Sequence, residues 1–144
     1  MYEATTEKAP CVIYMHGNAG NKNECFDLVE SLITNGISLL SFDFSGCGNS
    51  EGEWVTLGWK EKHDLEAIIA YLQELGTVSK VALWGRSMGA ATSIMYMSEN
   101  NDKVAASVLD SSFSSFDTIV NSLAEDKFGI PGPLVQMLML AVTA

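Results

Sequence analysis

The amino-acid sequence predicts an α/β fold in which helices cover both faces of a parallel sheet of about four strands. Three observations support this prediction. Four short apolar runs recur along the chain, segments with helical spacing of apolar residues separate them, and 47% of the 144 residues are hydrophobic. A chain of this length is typical of one domain. Only 18% of its residues are charged, so we expect a buried core that is large for the chain length.

The apolar runs are short, nearly continuous and rich in β-branched or large apolar residues. This composition is typical of strands that are buried on both faces of a parallel sheet. The runs cover residues 11–15, 37–42, 81–84 and 104–109. Apolar residues recur at helical spacing over residues 24–34, 59–75, 88–98 and 113–123. The alternation of strands with helices predicts right-handed crossover connections.

Composition and charge exclude several classes of protein. The hydrophobic content excludes a disordered chain. Eight basic residues against eighteen acidic ones give a net charge of −10, which argues against nucleic-acid binding because phosphate contacts need clustered Lys and Arg. The apolar stretch 134–144 is interrupted by polar residues and is too short to span a bilayer, so no transmembrane segment is expected.

The cysteines and histidines indicate neither a disulfide framework nor a metal site. The three cysteines are an odd number without C-x-x-C spacing, and the two histidines are isolated. We therefore expect reduced thiols, no metal and no cofactor. The polar start of the chain shows no targeting segment, so a cytoplasmic location is the expectation.

The strongest chemical signal is Gly85-Arg-Ser-Met-Gly89, which follows the third apolar run and opens a helical segment. This is the G-x-S-x-G pattern of a nucleophile elbow, in the strand-to-helix context that the pattern requires. Such a turn lifts the Ser87 hydroxyl above the sheet, and flanking glycines avoid side-chain clashes. The sequence therefore predicts Ser87 as a nucleophile. An ordinary glycine-rich turn is the alternative.

A second motif, His16-Gly-Asn-Ala-Gly20, follows the first apolar run. Acyl transfer needs two backbone N–H donors aimed at the developing oxyanion. We predict that one is the amide of Met88, directly after the nucleophile, and that the other is the amide of Asn18, with Ala19 as the alternative. We expect His16 to be a structural residue that hydrogen-bonds the loop rather than a general base.

A third motif, residues 43–52, is a glycine-rich loop after the second apolar run. We expect positive φ at Gly46 and Gly48, and we expect hydrogen bonds within the turn from Asp43 and Ser50. The loop is predicted to be structural and to line a substrate site. A phosphate-binding loop is excluded around Lys22, because G-x-x-x-x-G-K-[ST] is absent.

Five motifs occur in the order and at the spacing of one known family, namely HGNAGN, DFSGCGNSEG, VTLGW, WGRSMG and LDSSFSSF. The chain resembles the α/β-hydrolase superfamily, and within it the esterase, lipase and thioesterase-like serine hydrolases and, more distantly, the serine aminopeptidase-like branch. The resemblance implies that residues 1–144 are a partial α/β-hydrolase domain. The four runs would be the third to sixth strands of that fold, in spatial order 4-3-5-6.

The catalytic triad of this family runs serine, acid, histidine along the chain, but no histidine follows Ser87 here. The resemblance therefore implies a C-terminally truncated domain that lacks the strands carrying the acid and the base. His63 lies in a helical segment and is expected on the surface. Asp110 ends the fourth run, on the rim where a few superfamily members place their acid. The alternative is that Asp110 begins a turn with the serines after it.

The resemblance implies hydrolysis of an ester, thioester or amide of a small-molecule or acylated substrate through an acyl-enzyme on Ser87. Without the histidine we expect weak or absent turnover, about 10³ to 10⁴ over water from the oxyanion hole and binding. The alternative is a non-catalytic, hydrolase-like scaffold that binds an acyl ligand or a protein partner. The fourth run would also expose an apolar sheet edge, which favours self-association.

Overall fold

The computed structural model describes residues 1–4, 8–113, 115, 120–121, 124–125 and 129–135. The chain divides into two compact units, Met1–Ser112 and Phe113–Ala144, and the sheet belongs to the first. The helix predicted over residues 113–123 falls largely outside the described residues. Among the described residues, no helix is long and apolar enough to cross a membrane.

Strands and α-helices alternate through the first unit, as the sequence predicts. They are β1 (Ala9–Met15), α1 (Phe26–Thr34), β2 (Ser38–Ser41), α2 (Glu61–Leu75), β3 (Val78–Arg86), α3 (Met88–Asn100) and β4 (Ala106–Asp110). The first helix begins later than predicted because Lys22–Cys25 form a 3-10 turn ahead of it. The helix α2 ends at Gly76, whose φ of 72° places it in the left-handed region typical of a C-terminal cap.

The four strands form one parallel sheet in the order β2-β1-β3-β4. This is the predicted spatial order. The register pairs Met15 with Gly85 and Arg86 with Asp110. The carboxyl ends of β1, β3 and β4 therefore lie next to one another, and the segments that follow them meet at one rim of the sheet.

Side chains of β1 alternate between the two faces of the sheet, and helices cover both faces as predicted. Ile13 and Met15 belong to one buried cluster with apolar residues of α2 and α3. Val12 and Tyr14 belong to a second cluster that packs against the apolar side of α1. Each fully buried large apolar side chain stabilises the fold by about 1.5–3 kcal/mol relative to exposure. Strand β1 is therefore the centre of the core.

The strand β4 is exposed along all of its residues. Within the described part of the chain it pairs with β3, and Val108 and Leu109 remain 45% and 40% exposed. This agrees with the apolar edge expected from the sequence. Self-association through that edge stays a prediction.

The start of α2 is organised by a buried carboxylate that no sequence motif indicated. Glu61 is 1% exposed, and its side chain accepts hydrogen bonds from the amide and hydroxyl of Thr56 at 2.8 and 2.7 Å and from the Gly58 amide at 2.8 Å. Burial of the Glu61 carboxylate raises its pKa, but these hydrogen bonds lower it by more. The carboxylate thus holds the turn that leads into α2.

We predict that Glu61→Gln lowers the free energy of unfolding at pH 7 by about 2 kcal/mol, because hydrogen bonds to a buried charge are lost. Glu74→Gln, at an exposed position of the same helix, is the control and should change it by less than about 0.5 kcal/mol. Urea denaturation followed by circular dichroism measures both. Equal effects of the two substitutions would contradict the role given to Glu61.

Candidate active site

Ser87 lies on the sharp turn between β3 and α3. Its backbone has φ 51° and ψ −108°, a conformation that non-glycine residues rarely adopt and that costs on the order of 1–3 kcal/mol. The Ser87 amide donates to the Asp110 carbonyl at 2.8 Å, and its carbonyl accepts from the Ala91 amide at 3.0 Å. These bonds hold the strained residue between the end of β4 and the first turn of α3.

The two glycines of the elbow are required by backbone packing. A β-carbon on Gly85 would lie 2.3 Å from the Gly89 carbonyl, and one on Gly89 would lie 2.2 Å from the Met15 carbonyl oxygen. Neither backbone has space to move, since Met15 lies in the core strand β1 and is fully buried. The glycines thus allow α3 to start directly against β1 and β3, which confirms the steric explanation of the motif.

The segment after β1 lies against the nucleophile. A β-carbon on Gly17 would be 3.7 Å from Ser87 Cβ, and the Gly20 amide closes a turn onto the Gly17 carbonyl at 3.0 Å. Asn18 is exposed in this turn, whereas Met88 is fully buried at the start of α3. The structure brings these elements to one rim. The assignment of the Asn18 and Met88 amides as oxyanion donors stays a prediction.

His16 is fully buried, and both of its ring nitrogens face backbone groups. Nδ1 lies 2.7 Å from the Gly17 carbonyl, and Nε2 accepts from the Phe44 amide at 3.2 Å. A carbonyl can only accept, so Nδ1 carries the proton and Nε2 is the acceptor. His16 therefore has no free nitrogen for the Ser87 proton. It joins the segments after β1 and β2, which is the structural role expected from the sequence.

Asp43, close after β2, ties its own loop to the segment after β1. Its carboxylate accepts from the Lys22 amide at 2.7 Å and the Asn49 amide at 3.1 Å, and it pairs with the Lys22 ammonium. A β-carbon on Gly48 would lie 2.4 Å from Asp43 Cγ. The Ser50 hydroxyl donates to the Asp43 carbonyl at 2.7 Å. The predicted hydrogen bonds of Asp43 and Ser50 are confirmed.

The electrostatics of Asp43 follow from these contacts. Its side chain is 3% exposed. Burial of the carboxylate raises its pKa, but the hydrogen bonds from Lys22 and Asn49 lower it by more, to about 2.

The predicted positive φ of Gly46 and Gly48 is confirmed, at 79° and 54°. Lys22 has no phosphate-loop pattern around it, and its structural partner is the Asp43 carboxylate.

A cavity of about 520 Å³ opens beside the end of β2. Its lining joins Asp43 and Ser45 with residues of α2, including Asp64 and Ile68. Ser45 is fixed there, since its amide and hydroxyl both donate to Asp64 at 2.8 and 2.9 Å. Ser87 does not line this cavity. The substrate-lining role of the loop 43–52 therefore stays a prediction.

The remaining candidates lie where their sequence positions suggested. Asp110 ends β4 at the rim beside Ser87, and its carboxylate accepts from the Ser111 hydroxyl at 2.7 Å. His63 lies on α2 with 67% of its side chain exposed and Nδ1 3.7 Å from a Glu66 carboxylate oxygen. The structure thus brings Asp110 to the rim of the nucleophile and shows His63 as a surface residue.

The described residues contain no cluster of three or more His, Cys, Asp or Glu side chains that would hold a metal ion. All three cysteines are free and buried. Burial raises the pKa of the Cys11 thiol to about 11, so that cysteine stays protonated and is a poor nucleophile. The assignment of Ser87 as the nucleophile stays a prediction.

A parallel α/β sheet whose inner strand ends in a serine at positive φ, followed at once by a helix, defines the nucleophile-elbow class of hydrolase folds. The family model for the alpha/beta hydrolase fold matches residues 10–131. The chain belongs to this α/β-hydrolase family.

Individual relatives agree with this membership. The uncharacterized protein YfhR of Escherichia coli O157:H7 is 30% identical over 115 residues, covering 78% of this chain and 40% of its own length. A proline iminopeptidase of Clostridioides difficile is 29% identical over 114 residues, covering 78% of this chain and 38% of its own. The solved Pyrococcus furiosus esterase Pf2001 superposes with a TM-score of 0.73 at 27% identity, covering 92% of this chain and 52% of that structure. The chain thus spans about two fifths of these curated relatives and half of the esterase.

We predict that Asp43→Asn destabilises the fold by about 1–3 kcal/mol at pH 7 through loss of charged hydrogen bonds. The folded pKa of Asp43 is about 2, below its ordinary value of 3.8. Its contribution to the free energy of unfolding is therefore complete above pH 3.8 and is lost as the pH falls through about 2. The difference between the wild type and the variant should therefore shrink between pH 7 and pH 2.5 in urea titrations. Asp102→Asn, at an exposed position, is the control. A loss of stability in Asp43→Asn that did not depend on pH would contradict the role given to the Asp43 carboxylate.

We also predict that Gly89→Ala strongly destabilises the fold, by about 3 kcal/mol or more, because its β-carbon collides with the Met15 carbonyl. Gly132→Ala is the control, since a β-carbon there meets no atom within 4 Å outside its two chain neighbours. Thermal unfolding of the two variants measures the contrast. An unfolding midpoint of Gly89→Ala close to that of the wild type would show that the packing of α3 on β1 is looser than described.

Proposed function

We propose that this chain carries the nucleophile and the oxyanion site of a serine hydrolase that acts on an ester, thioester or amide. The observation that carries the proposal is the conformation of Ser87. Backbone packing requires the glycines on either side and leaves Ser87 at positive φ. Residues held in such strained conformations cluster at active sites. The esterase Pf2001, with the same fold, supports the ester class.

The proposed reaction begins when Ser87 Oγ attacks the carbonyl carbon as its proton passes to a base. The carbonyl oxygen becomes an oxyanion that the amides of Met88 and Asn18 stabilise, each donor being worth about 10²–10³ in rate. Collapse of this intermediate expels an alcohol, thiol or amine, which takes up the proton, and leaves an acyl group on Ser87. Water then releases the acid by the same route. Asp110, on the same rim, is the proposed acid.

The base is the missing component of this reaction. His16 uses both ring nitrogens for backbone contacts, and His63 lies exposed on α2 beside Glu66. These are the two histidines of the chain. Because of these contacts, neither is placed to accept the Ser87 proton. The proposal therefore assigns to this chain a low rate, on the order of 10³–10⁴ over water. The same observation favours a second candidate function, a non-catalytic scaffold that binds an acyl ligand or a protein partner.

We predict that a fluorophosphonate probe modifies the purified chain slowly at Ser87, because no histidine is placed as the base. Intact mass after long incubation is the readout. Ser87→Ala should abolish the adduct. Ser98→Ala, which removes an exposed serine on α3, should label like the wild type. Circular dichroism establishes that each protein is folded, so that absence of the adduct has a chemical meaning.

The two candidate functions give different results. A stoichiometric adduct on the wild type and Ser98→Ala, but not on Ser87→Ala, supports the hydrolase and contradicts the scaffold. No adduct on a folded chain after long incubation contradicts activation of Ser87 and leaves the scaffold. An adduct that persists in Ser87→Ala would contradict the assignment of the nucleophile.

A further inference from the structure

One carboxylate beside the elbow contacts three elements of the site. Glu24 lies on the 3-10 turn Lys22–Cys25. Its Oε2 accepts from the Tyr14 hydroxyl of β1 at 3.2 Å and lies 3.4 Å from Nη1 of Arg86, the residue directly before the nucleophile. The same side chain fills the space under Gly20, where a β-carbon would meet Glu24 Oε1 at 1.8 Å. Glu24 thus contacts β1, the elbow and the segment after β1 together.

The burial of the partners shows which contacts hold most firmly. Tyr14 is 5% exposed and packs in the core. The Glu24 side chain is 22% exposed and that of Arg86 is 55% exposed. An ion pair with so exposed a partner contributes little stability by itself. The hydrogen bond from Tyr14 and the contact with Gly20 therefore position Glu24. The ion pair with Arg86 then connects the positioned carboxylate to the elbow.

The charges of the cluster keep these contacts at neutral pH. Burial, followed by the charge of Glu24 and the hydrogen bond to it, raises the pKa of Tyr14 to about 12. Tyr14 therefore stays protonated and remains a donor to the carboxylate. The Arg86 guanidinium supplies the opposite charge for Glu24 and lies near Oε2, the same oxygen that accepts from Tyr14.

We propose that Glu24 is a positioning residue, which holds the turn 17–20 and the elbow at a fixed separation. The proposal rests on the proposed function, because the two oxyanion donors belong to these two elements: Asn18 to the turn and Met88 to the elbow. The parallel pairing of β1 with β3 ends at Met15 and Gly85, so the turn 17–20 and the residues from Ser87 onward lie beyond it. A displacement of about 1 Å between such groups costs roughly 10²-fold in rate.

The test compares Glu24→Ala with the conservative Glu24→Gln, which keeps an acceptor for Tyr14 but loses the charge. Glu30→Gln, at an exposed position of α1, is the matched control. Arg86→Gln removes the same ion pair at an exposed side chain. It replaces Glu24→Ala as the test if Glu24→Ala does not fold. The first readout is phosphonylation of Ser87, separated into the maximal rate and the probe concentration for half-maximal rate. The second is hydrogen–deuterium exchange of peptides covering residues 16–22, with residues 65–72 of α2 as internal reference.

We expect Glu24→Ala to lower the maximal phosphonylation rate at least tenfold with little change in the half-maximal concentration. Glu24→Gln should recover part of that rate, and Arg86→Gln should show a smaller loss. Exchange over residues 16–22 should quicken about tenfold in Glu24→Ala while the α2 reference is unchanged. A substitution that weakened only the general fold would quicken exchange in both segments.

The outcomes separate this inference from the proposed function. A labelled wild type with an unchanged rate in Glu24→Ala overturns the positioning role and leaves the proposed function standing. If the wild type does not label, the proposed function fails, and the exchange experiment alone decides whether Glu24 fixes the turn. Unchanged exchange over residues 16–22 then overturns the inference, and local quickening supports it.

Discussion

The close approach of the backbones of β1, β3 and α3 at Met15, Gly85 and Gly89 is the constraint on which the rest of the site depends. The first turn of α3 lies so near the Met15 carbonyl of β1 that no β-carbon fits between them. This contact requires a sharp exit from β3, and the sharp exit places Ser87 at positive φ. The strain is sustained because β1 and β3 are hydrogen-bonded neighbours in the buried centre of the sheet. Core packing thus maintains the strained serine.

Buried or half-buried polar side chains organise the segments that surround this elbow. His16 and Asp43 join the segment after β1 to the loop after β2, and Glu24 joins the first of these segments to the elbow. Each acts through its side chain on backbone amides or charged groups across elements. Such contacts are stronger in a low-dielectric interior than in water, and they cost most when one partner is lost. The rim is therefore held by polar contacts, whereas the sheet beneath it is held by apolar packing.

The fold was largely predictable because its signals are local. Apolar runs with strand composition, helical periodicity between them, and glycines at fixed spacing are each visible within ten to twenty residues. The exceptions are also local in origin. Helix α1 starts late because a 3-10 turn, capped by the side chain of Asn21, comes before it. The carboxylate of Glu61 binds residues three to five positions earlier, but an acidic residue in a first helical turn is too common to indicate a buried role.

The sequence motifs correctly predicted the fold class and the strand order, they predict Ser87 as the nucleophile, and the sequence shows no histidine after it. Three contacts became visible in the folded chain alone. His16 uses both ring nitrogens for backbone groups, Lys22 pairs with Asp43, and Glu24 contacts Tyr14 and Arg86. The physical reason is range. Steric rules for glycine and periodic burial act between near neighbours in the chain, whereas a polar partner is chosen by whichever groups folding brings within hydrogen-bond distance.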